Sequence, residues 1–540
     1  MKLTVERIRE AVIGDGEAIH GPFGPRPLIY ADYVASGRSL DFVEDAIRRA
    51  VLPTYGNTHT ETSHTGRRTT RLREAARRAV REGVGADDDH AVIFCGTGAT
   101  AAADKLVRAL GLAERSEDRP KAVVFVGPYE HHSNDLPWRE AAVELVRIPL
   151  DAKGGICLAS LERALKEPAR HKLRIGAFSA ASNVTGVRTD LTSVAVLLHR
   201  HGARFVCDFA AAGPYVPIRM CESAPGAGDR IDAAFISSHK FVGGPGASGI
   251  LVADRAMLDC AVPTVAGGGT VSYVTEDHQT YVKDPERREE AGTPGIVENI
   301  RAGMVMAIKN AIGAERVQQL EERLSRRLLD ALAQEPAIEL LGPPDQPRLG
   351  IFSFNIRAGA KLLHHNYVVA LLNDLFGIQA RGGCSCAGPY GHSLLGIDSG
   401  RAAAHERAVE RGLSAFRPGW ARLGVNYFFD EARVDHIADA VRFIARHGLA
   451  LLPLYTLDAQ SGVWRARAGT ADDPLTLDGF WDWASADAPP PPDFASCMRE
   501  AEDLVRQAAS IQAEPAGFDP EAEALRWFWM PHEAARECAA

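Results

Sequence analysis

From Ala91 onward, short runs of apolar and β-branched residues alternate with stretches in which apolar side chains recur every three or four positions. The runs are Ala91–Phe94, Ala122–Val126, Ile175–Ser179, Arg204–Cys207, Ala233–Ser237 and Ile250–Ala253. Continuous apolar runs of this length read as strands buried on both faces, and the stretches between them as amphipathic helices. One such helix is expected over Leu191–His201, with Asp190 as its N-cap and Gly202 at its C-terminal end. This alternation predicts a mostly parallel sheet covered by helices on both faces. Upstream, Leu40, Val43, Ala46, Ile47, Ala50 and Val51 fall at helical spacing across residues 38–52, and residues 66–83 predict a second, strongly basic helix.

After about Gly295 the pattern changes. A long helical stretch, Glu298 to Leu332, leads into a smaller mixed region. Its expected strands lie near Leu349–Asn355 and Ala421–Asn426, and its helices near Tyr367–Phe376 and Glu431–Arg446. From about Asp458 the chain reads as an appendage of a few short, partly disordered helices. Trp464, Trp481, Trp483, Trp527 and Trp529 argue that some of it packs onto the body. No internal repeat is visible.

At 540 residues the chain is too long for one core, so two or three domains are expected. A composition of 46% hydrophobic and 24% charged residues is that of a soluble enzyme, and a net charge of -9 gives no reason to invoke nucleic acid or an anionic membrane. No apolar run is long enough to span a bilayer, and the charged start, Met1 to Glu10, lacks the apolar stretch of a secretory signal. A cytoplasmic location is the expectation. Nine cysteines, an odd number, argue against a disulfide framework. Most stand singly, as Cys95, Cys157, Cys207 and Cys260 do; only Cys384 and Cys386 form a close pair.

The candidate chemistry gathers at the ends of the expected strands. Ser237-Ser238-His239-Lys240 comes after one of them and precedes Gly243-Gly244-Pro245-Gly246. A lysine that forms a Schiff base needs a fixed place and a lowered pKa, and a neighbouring phosphate needs Ser, His and backbone N–H donors. The competing reading is a loop lysine with chance neighbours. Asp208 ends the run Arg204–Cys207, where open α/β sheets place ligand contacts. A pyridoxal phosphate (PLP) enzyme needs an aspartate there to keep the pyridine nitrogen protonated; a helix cap is the alternative. Gly96-Thr97-Gly98-Ala99-Thr100 suits a phosphate at a helix N-terminus better than a dinucleotide, because no convincing acidic partner lies downstream. In Glu130-His131-His132-Ser133-Asn134 an imidazole is placed to stack on an aromatic cofactor. No second His/Cys/Asp cluster stands at zinc-like spacing, so no metal is expected. Ser182-Asn183-Val184-Thr185-Gly186 offers an amide donor to a phenolic oxygen, or simply a turn.

These motifs, in this order, resemble the class V aminotransferase family of fold-type I PLP enzymes, and most of all its cysteine desulfurase and selenocysteine lyase branch. The resemblance runs from Tyr30-Ala31-Asp32 to about Tyr455. It implies an α/β fold with a large domain, built on a mostly parallel seven-stranded sheet covered by helices, and a smaller α+β C-terminal domain. Residues 1–28 would be an arm joining the small domain, 29–297 the PLP-binding domain, 298–457 the small domain and 458–540 an extension. By the same resemblance Lys240 would carry PLP as a Schiff base and then shuttle protons. His131 would stack on the ring, Asp208 would pair with the pyridine nitrogen and Asn183 would contact the phenolic oxygen. Gly98, Ala99, Thr100, Ser237 and His239 would hold the phosphate. Thr293, in Ala291-Gly292-Thr293-Pro294, matches a threonine that completes the partner subunit's phosphate site, which implies a homodimer with shared active sites. Arg422 would clamp the carboxylate of a small amino-acid substrate, with Arg381 also on the substrate side.

Arg381-Gly382-Gly383-Cys384-Ser385-Cys386 resembles the segment carrying the desulfurase nucleophile, and the family spacing places that nucleophile at Cys386. Arg381 would help to form the thiolate, and a sulfur-acceptor protein would be a partner. Inert loop thiols are the competing reading; a metal site lacks its other ligands, and a disulfide between residues two apart is strained. An aminotransferase, epimerase or β-lyase on another amino acid is the second hypothesis, and a non-catalytic sulfur-carrier-binding or scaffold protein the third. The sequence departs from the family at Ala211, where relatives carry Gln, and at the loose motif of residues 30–36. The tail beyond Asp458 has no recognised counterpart.

Overall fold

The computed structural model describes residues 2–114, 121–167, 171–469, 476–482 and 490–537. They form two compact units. The first takes residues 1–13, 33–322 and 345–349, and the second residues 14–32, 323–344 and 350–540.

The first unit is built on a seven-stranded sheet: β1 (His90–Cys95), β2 (Ala122–Val126), β3 (Val143–Arg147), β4 (Leu173–Ser179), β5 (Arg204–Asp208), β6 (Ala233–Ser237) and β7 (Gly249–Asp254). The spatial order is β1-β7-β6-β5-β4-β2-β3. All pairings are parallel except those of β7, which runs antiparallel to both β1 and β6. Every residue of β1 and β6 is buried, as the continuous apolar runs predict for strands covered on both faces. The six expected strands are present. β3 is additional to them, because its half-exposed Val143-Glu144-Leu145-Val146-Arg147 mixes charge into a short edge.

Four helices of this unit are α1 (His64–Gly83), α2 (Gly98–Ala109), α3 (Leu191–Arg200) and α4 (Ile296–Ile312). α3 starts where expected, with the Asp190 carboxylate accepting from the Ser193 N–H at 3.1 Å. The single helix expected over Glu298–Leu332 is two, because Gly313 adopts φ 91 between α4 and a helix over Ala314–Leu332. Residues 38–52 also break up. Asp41–Ala46 is α-helical, Ile47–Val51 widens into a π-turn, and Leu52–Thr54, which contains Pro53, tightens into a 3₁₀ turn.

Part of the basic character of α1 is turned inward, while Arg68, Arg71 and Arg78 stay exposed. Arg73 and Arg77 are buried and pair with Glu290. That glutamate also accepts from the Phe94 N–H at 2.7 Å, and Glu286 accepts from the Val92 N–H at 2.7 Å. These two N–H groups lie on the outer side of edge strand β1, so side-chain carboxylates take the place of a further strand.

The second unit has its own sheet, in the order β8 (Ile338–Leu340), β9 (Ile351–Ala358), β11 (Trp420–Gly424) and β10 (Arg381–Gly383), with Lys361–Leu362 pairing back onto β9. Helices α5 (His365–Phe376), α6 (Glu431–Leu451) and α7 (Phe494–Ala508) belong to the same unit. Among its described residues the appendage holds a helix longer than the short ones expected. α7 is 15 residues long, Phe494 stacks on His436 at 4.3 Å, and Glu500 pairs with the buried Arg26 at 2.8 Å. Trp464 and Trp529 are buried and Trp527 stacks on His364 and His365, whereas Trp481 is exposed and Trp483 lies outside the described residues.

Lys309, on α4, is buried and donates from Nζ to the carbonyls of Gly213 and Val216, each at 2.6 Å. It thereby fixes the loop after β5. Burial lowers its pKa from the usual 10.5 to about 7. Between those values the unfolded chain holds a proton that the folded chain lacks, so this group makes the fold more stable as pH rises through that window. Urea unfolding at a series of pH values should show that rise in the wild type and lose it in Lys309→Met.

Candidate active site

The sequence-predicted residues are divided between the units. Gly98, Ala99, Thr100, His131, Asn183, Asp208, Ser237, His239, Lys240 and Thr293 are in the first, and Arg381, Cys386 and Arg422 in the second.

In the first unit, α2 starts at Gly98 with φ 60, a conformation that glycine reaches without cost. A Cβ at this position would stand 2.8 Å from His239 Cε1 and 2.9 Å from Ser237 Oγ. The Ala99 N–H donates to Ser237 Oγ at 3.0 Å. The N-terminus of α2 and the 3₁₀ turn Ser238–Lys240 after β6 therefore meet across a space that only a glycine leaves open. Thr100 Oγ1 lies 2.7 Å from Ser133 Oγ, which is 3.1 Å from His131 Nδ1. The Ser133 N–H also donates to Nδ1, at 3.1 Å, which leaves a neutral ring's proton on Nε2. Ser133 thus joins Thr100 to His131, a link that the sequence motif contains but does not reveal.

Asp208 ends β5 buried, and its Oδ1 accepts from the Ala210 N–H at 2.7 Å. Burial raises its pKa, while the Ala210 N–H and the charge of Lys240 pull it down. His239 is held neutral, its pKa lowered to about 4 by burial and then by Lys240. Asn183 is buried in a loop closed by Ser182 Oγ, which accepts from the N–H groups of Val184 and Thr185 at 3.1 Å each. The Thr293 hydroxyl accepts from Asn57 Nδ2 at 3.3 Å and is exposed.

Glu130 is a further buried group in this unit, and nothing in its motif marks it. Its carboxyl accepts from the Ser179 N–H (3.0 Å), Ser179 Oγ (2.5 Å) and Asn134 Nδ2 (2.6 Å). Burial raises its pKa to about 7 against those three donors, and the Asp208 charge adds to the rise. Ser179 and Asp208 are paired across β4 and β5.

The donor set fits PLP. The glycine-lined cradle with Ser237 and His239 has the shape and donors for a phosphate. The buried Asp208, within the field of Lys240, is the acceptor that a protonated ring nitrogen requires. Among the described residues one group could share a metal ion, Asp87, His90 and Cys221. It stands at the start of β1, whereas the cradle lies past the end of that strand, and Asp87 already bonds His90 at 2.6 Å and Cys221 at 3.3 Å.

In the second unit, buried Arg422 on β11 and Arg381 on β10 both reach Asp32, at 3.1 and 2.8 Å. The sequence motif does not single out Asp32 for this. Beyond β10 the Ala387 N–H donates to the Cys384 carbonyl at 3.3 Å. The two residues between, Ser385 and Cys386, have φ 53 and 54. Positive φ at both central positions is the signature of a type I′ turn, which ordinarily selects Asn and Gly. A β-carbon-bearing thiol held there is strained, and Cys386 is exposed.

A family model described as aminotransferase class-V matches residues 29–403. Among curated relatives, a probable cysteine desulfurase of Halalkalibacterium halodurans is 29% identical over 367 residues, 67% of this chain and 85% of its own length. A cysteine desulfurase of Escherichia coli is 29% identical over 396 residues, 72% of this chain and 90% of its own. Two solved structures share the fold. The cysteine desulfurase of Thermococcus onnurineus NA1 in its apo form has a TM-score of 0.67 at 24% identity, covering 83% of this chain and 100% of that one. The cysteine desulfurase CsdA of Escherichia coli, in its S-sulfonic acid form, has a TM-score of 0.62 at 22% identity, covering 81% of this chain and 98% of that one. The α/β architecture expected from the sequence is the one these neighbours have.

Gly98→Ala should destabilise the fold by about 1–3 kcal/mol, the cost of a strained left-handed residue, as read by urea unfolding. Glu130 keeps a proton in the folded state between the ordinary carboxyl value of 4.5 and about 7. Its stabilisation is complete below that window and is lost as pH rises through about 7. Glu130→Gln should flatten that part of the stability–pH curve.

Proposed function

Because this chain belongs to the class-V aminotransferase family, a family of PLP-dependent enzymes, we propose that it is a PLP-dependent cysteine desulfurase or selenocysteine lyase, releasing sulfur or selenium from the amino acid and leaving alanine. The observation that carries the reaction class is Cys386, an exposed thiol on a strained turn in the same unit as a buried arginine. The names of the relatives support it.

When bound, PLP supplies an electron sink that labilises bonds at the amino acid's α- and β-carbons. Lys240 is the residue that would hold the cofactor, and its amine would move protons as a general acid and base. Asp208, buried at the end of β5 with its Oδ1 on the Ala210 N–H and within the field of Lys240, would pair with the ring nitrogen. Gly98, Ala99, Thr100, Ser237 and the neutral His239 would hold the phosphate, and Asn183 would donate to the phenolic oxygen. His131, its orientation set by Ser133, would cover the ring. Arg422 takes the substrate carboxylate with Arg381 beside it. The Cys386 thiolate accepts the sulfur as a persulfide while the carbon–sulfur bond breaks and the carbon skeleton takes up protons to leave as alanine.

Thr293, which is exposed, is read as serving a second copy, so the enzyme is a homodimer with shared active sites. The four-segment division, with breaks after residues 28, 297 and 457, and a cytoplasmic location belong to the same reading. A sulfur-acceptor protein completes it, because a persulfide needs an outlet. Ala211, in place of the family's Gln, favours a second reading in which the fold acts on another amino acid.

Purified protein should show a cofactor absorbance band near 420 nm, on the order expected for a PLP Schiff base, and Lys240→Ala should lack it. Adding L-cysteine should shift the band and release alanine, and Cys386→Ala should lower alanine formation by about 100-fold or more. A band that ignores cysteine and answers another amino acid would establish the second reading.

A further inference from the structure

The turn that carries Cys386 hangs from a weak strand. β10 is three residues long and ends its sheet, paired among the described residues with β11 alone. Two of its residues, Gly382 and Gly383, have no side chain to pack. Positive φ begins at Gly383, at 121, and returns at Ser385 and Cys386, at 53 and 54. Strain of this kind persists only where the surroundings hold it. Here they are His365 and Asn366, the first two residues of α5. A Cβ on Gly382 would stand 3.1 Å from His365 Cδ2 and would collide with Asn366 Oδ1. One on Gly419, just before β11, would stand 2.9 Å from His365 Cε1. The buried His365 ring therefore lies against bare backbone on both strands. It adds no charge, since burial and then His364 hold its pKa well below the usual value.

Both residues are held in turn by the C-terminal extension. Trp527 stacks on His365 with ring centroids 5.6 Å apart and planes 13° apart. Its own place is fixed by main-chain bonds. The Leu362 N–H donates to the Trp527 carbonyl at 3.1 Å, and the Trp529 N–H donates to the Leu362 carbonyl at 3.2 Å. Trp529 Nε1 donates to the Ala358 carbonyl at 2.7 Å. Glu533 pairs with Arg526 at 2.6 Å and with Lys361 at 3.1 Å. The second hold is Asn366 Nδ2, which donates at 2.7 Å to the carbonyl of Gly462, in the turn between Tyr455–Asp458 and Val463–Ala466. Gly462 and Trp527 both lie beyond Asp458, and beyond residue 403 where the family match ends. We propose that the extension braces the thiol-bearing turn: Trp527 through His365, and Gly462 through Asn366, hold β10 and with it Cys386 in place. Trp527, His365 and Asn366 are thus positioning residues. This inference rests on the reading of Cys386 as the thiol that accepts sulfur, and it gives the tail a part in that reaction.

The test uses the full-length, PLP-loaded protein. Amide hydrogen exchange over residues 381–387, read by mass spectrometry, should be about tenfold faster in Trp527→Ala, with β5 and β6 exchanging as in wild type. In turnover of L-cysteine the same variant should lower kcat for alanine release by about tenfold and keep KM within about threefold, because the thiol is loosened and the substrate's contacts are not. Trp527→Phe, which keeps a ring face, should bring exchange and kcat back to within about threefold of wild type. Exchange over 381–387 unmoved in Trp527→Ala overturns the proposal. So does faster exchange spread evenly through the protein, the mark of a merely structural loss, and so does a kcat that stays at the wild-type value while the segment loosens. If Trp527→Ala does not fold, Asn366→Ala decides, since it cuts the link to Gly462: unmoved exchange over 381–387 there overturns the proposal. Exchange is read without substrate, so the two readings fail separately. Cys386→Ala forming alanine at the wild-type rate sinks the functional reading, whereas an inactive Cys386→Ala beside unmoved exchange in Trp527→Ala sinks the brace alone.

Discussion

The whole arrangement depends on a sheet whose central strands have no wet side. β5 and β6 bury both faces, so neither can present a reactive side chain along its length. The polar groups they deliver are those at their C-terminal ends, where Asp208, Ser237, His239 and Lys240 appear. Burial then governs the electrostatics of what is delivered. Desolvation is the largest influence on Asp208, Glu130 and His239 alike, and a single lysine charge is felt by two of them. In water the same groups would hardly sense one another.

Support around these strand ends comes from side chains that have no part in the proposed chemistry themselves. Lys309 holds the loop after Asp208 by its carbonyls, Ser133 ties His131 to Thr100, and Glu130 joins the loop after β2 to the end of β4. Each joins two segments distant in sequence. The second unit repeats the theme with charge: the segment bearing Asp32 is fastened to the backbones of Gln379 and Gly424, and the carboxylate then settles a conflict between two arginines.

The same physics decides how much is legible in the sequence. The sheet is readable nearly to the residue because a strand buried on both faces is written as an uninterrupted apolar run. The site is readable because strand ends are also where glycine, serine and charged residues cluster. The helices are less faithful. Apolar periodicity continues across Gly313, so the pattern predicts one helix where a left-handed glycine makes two. Residues 66–83 read as a basic helix with no sign of burial, because no local pattern shows that Glu286 and Glu290, far along the chain, will bury Arg73 and Arg77. Lys309, Glu130 and Asp32 escape a sequence reading for the same reason. Each gains its role from a partner that only the tertiary fold supplies, and an isolated lysine or glutamate carries no signal of burial.

The two glutamates that close the outer side of β1 also limit how molecules of this kind can assemble. A bare rim of amide hydrogens invites another chain to zip alongside, and extended fibrous growth can begin that way. Here that rim is occupied by carboxylates that are themselves neutralised by arginines. Another chain cannot zip onto β1 while its outward amides are held in this way.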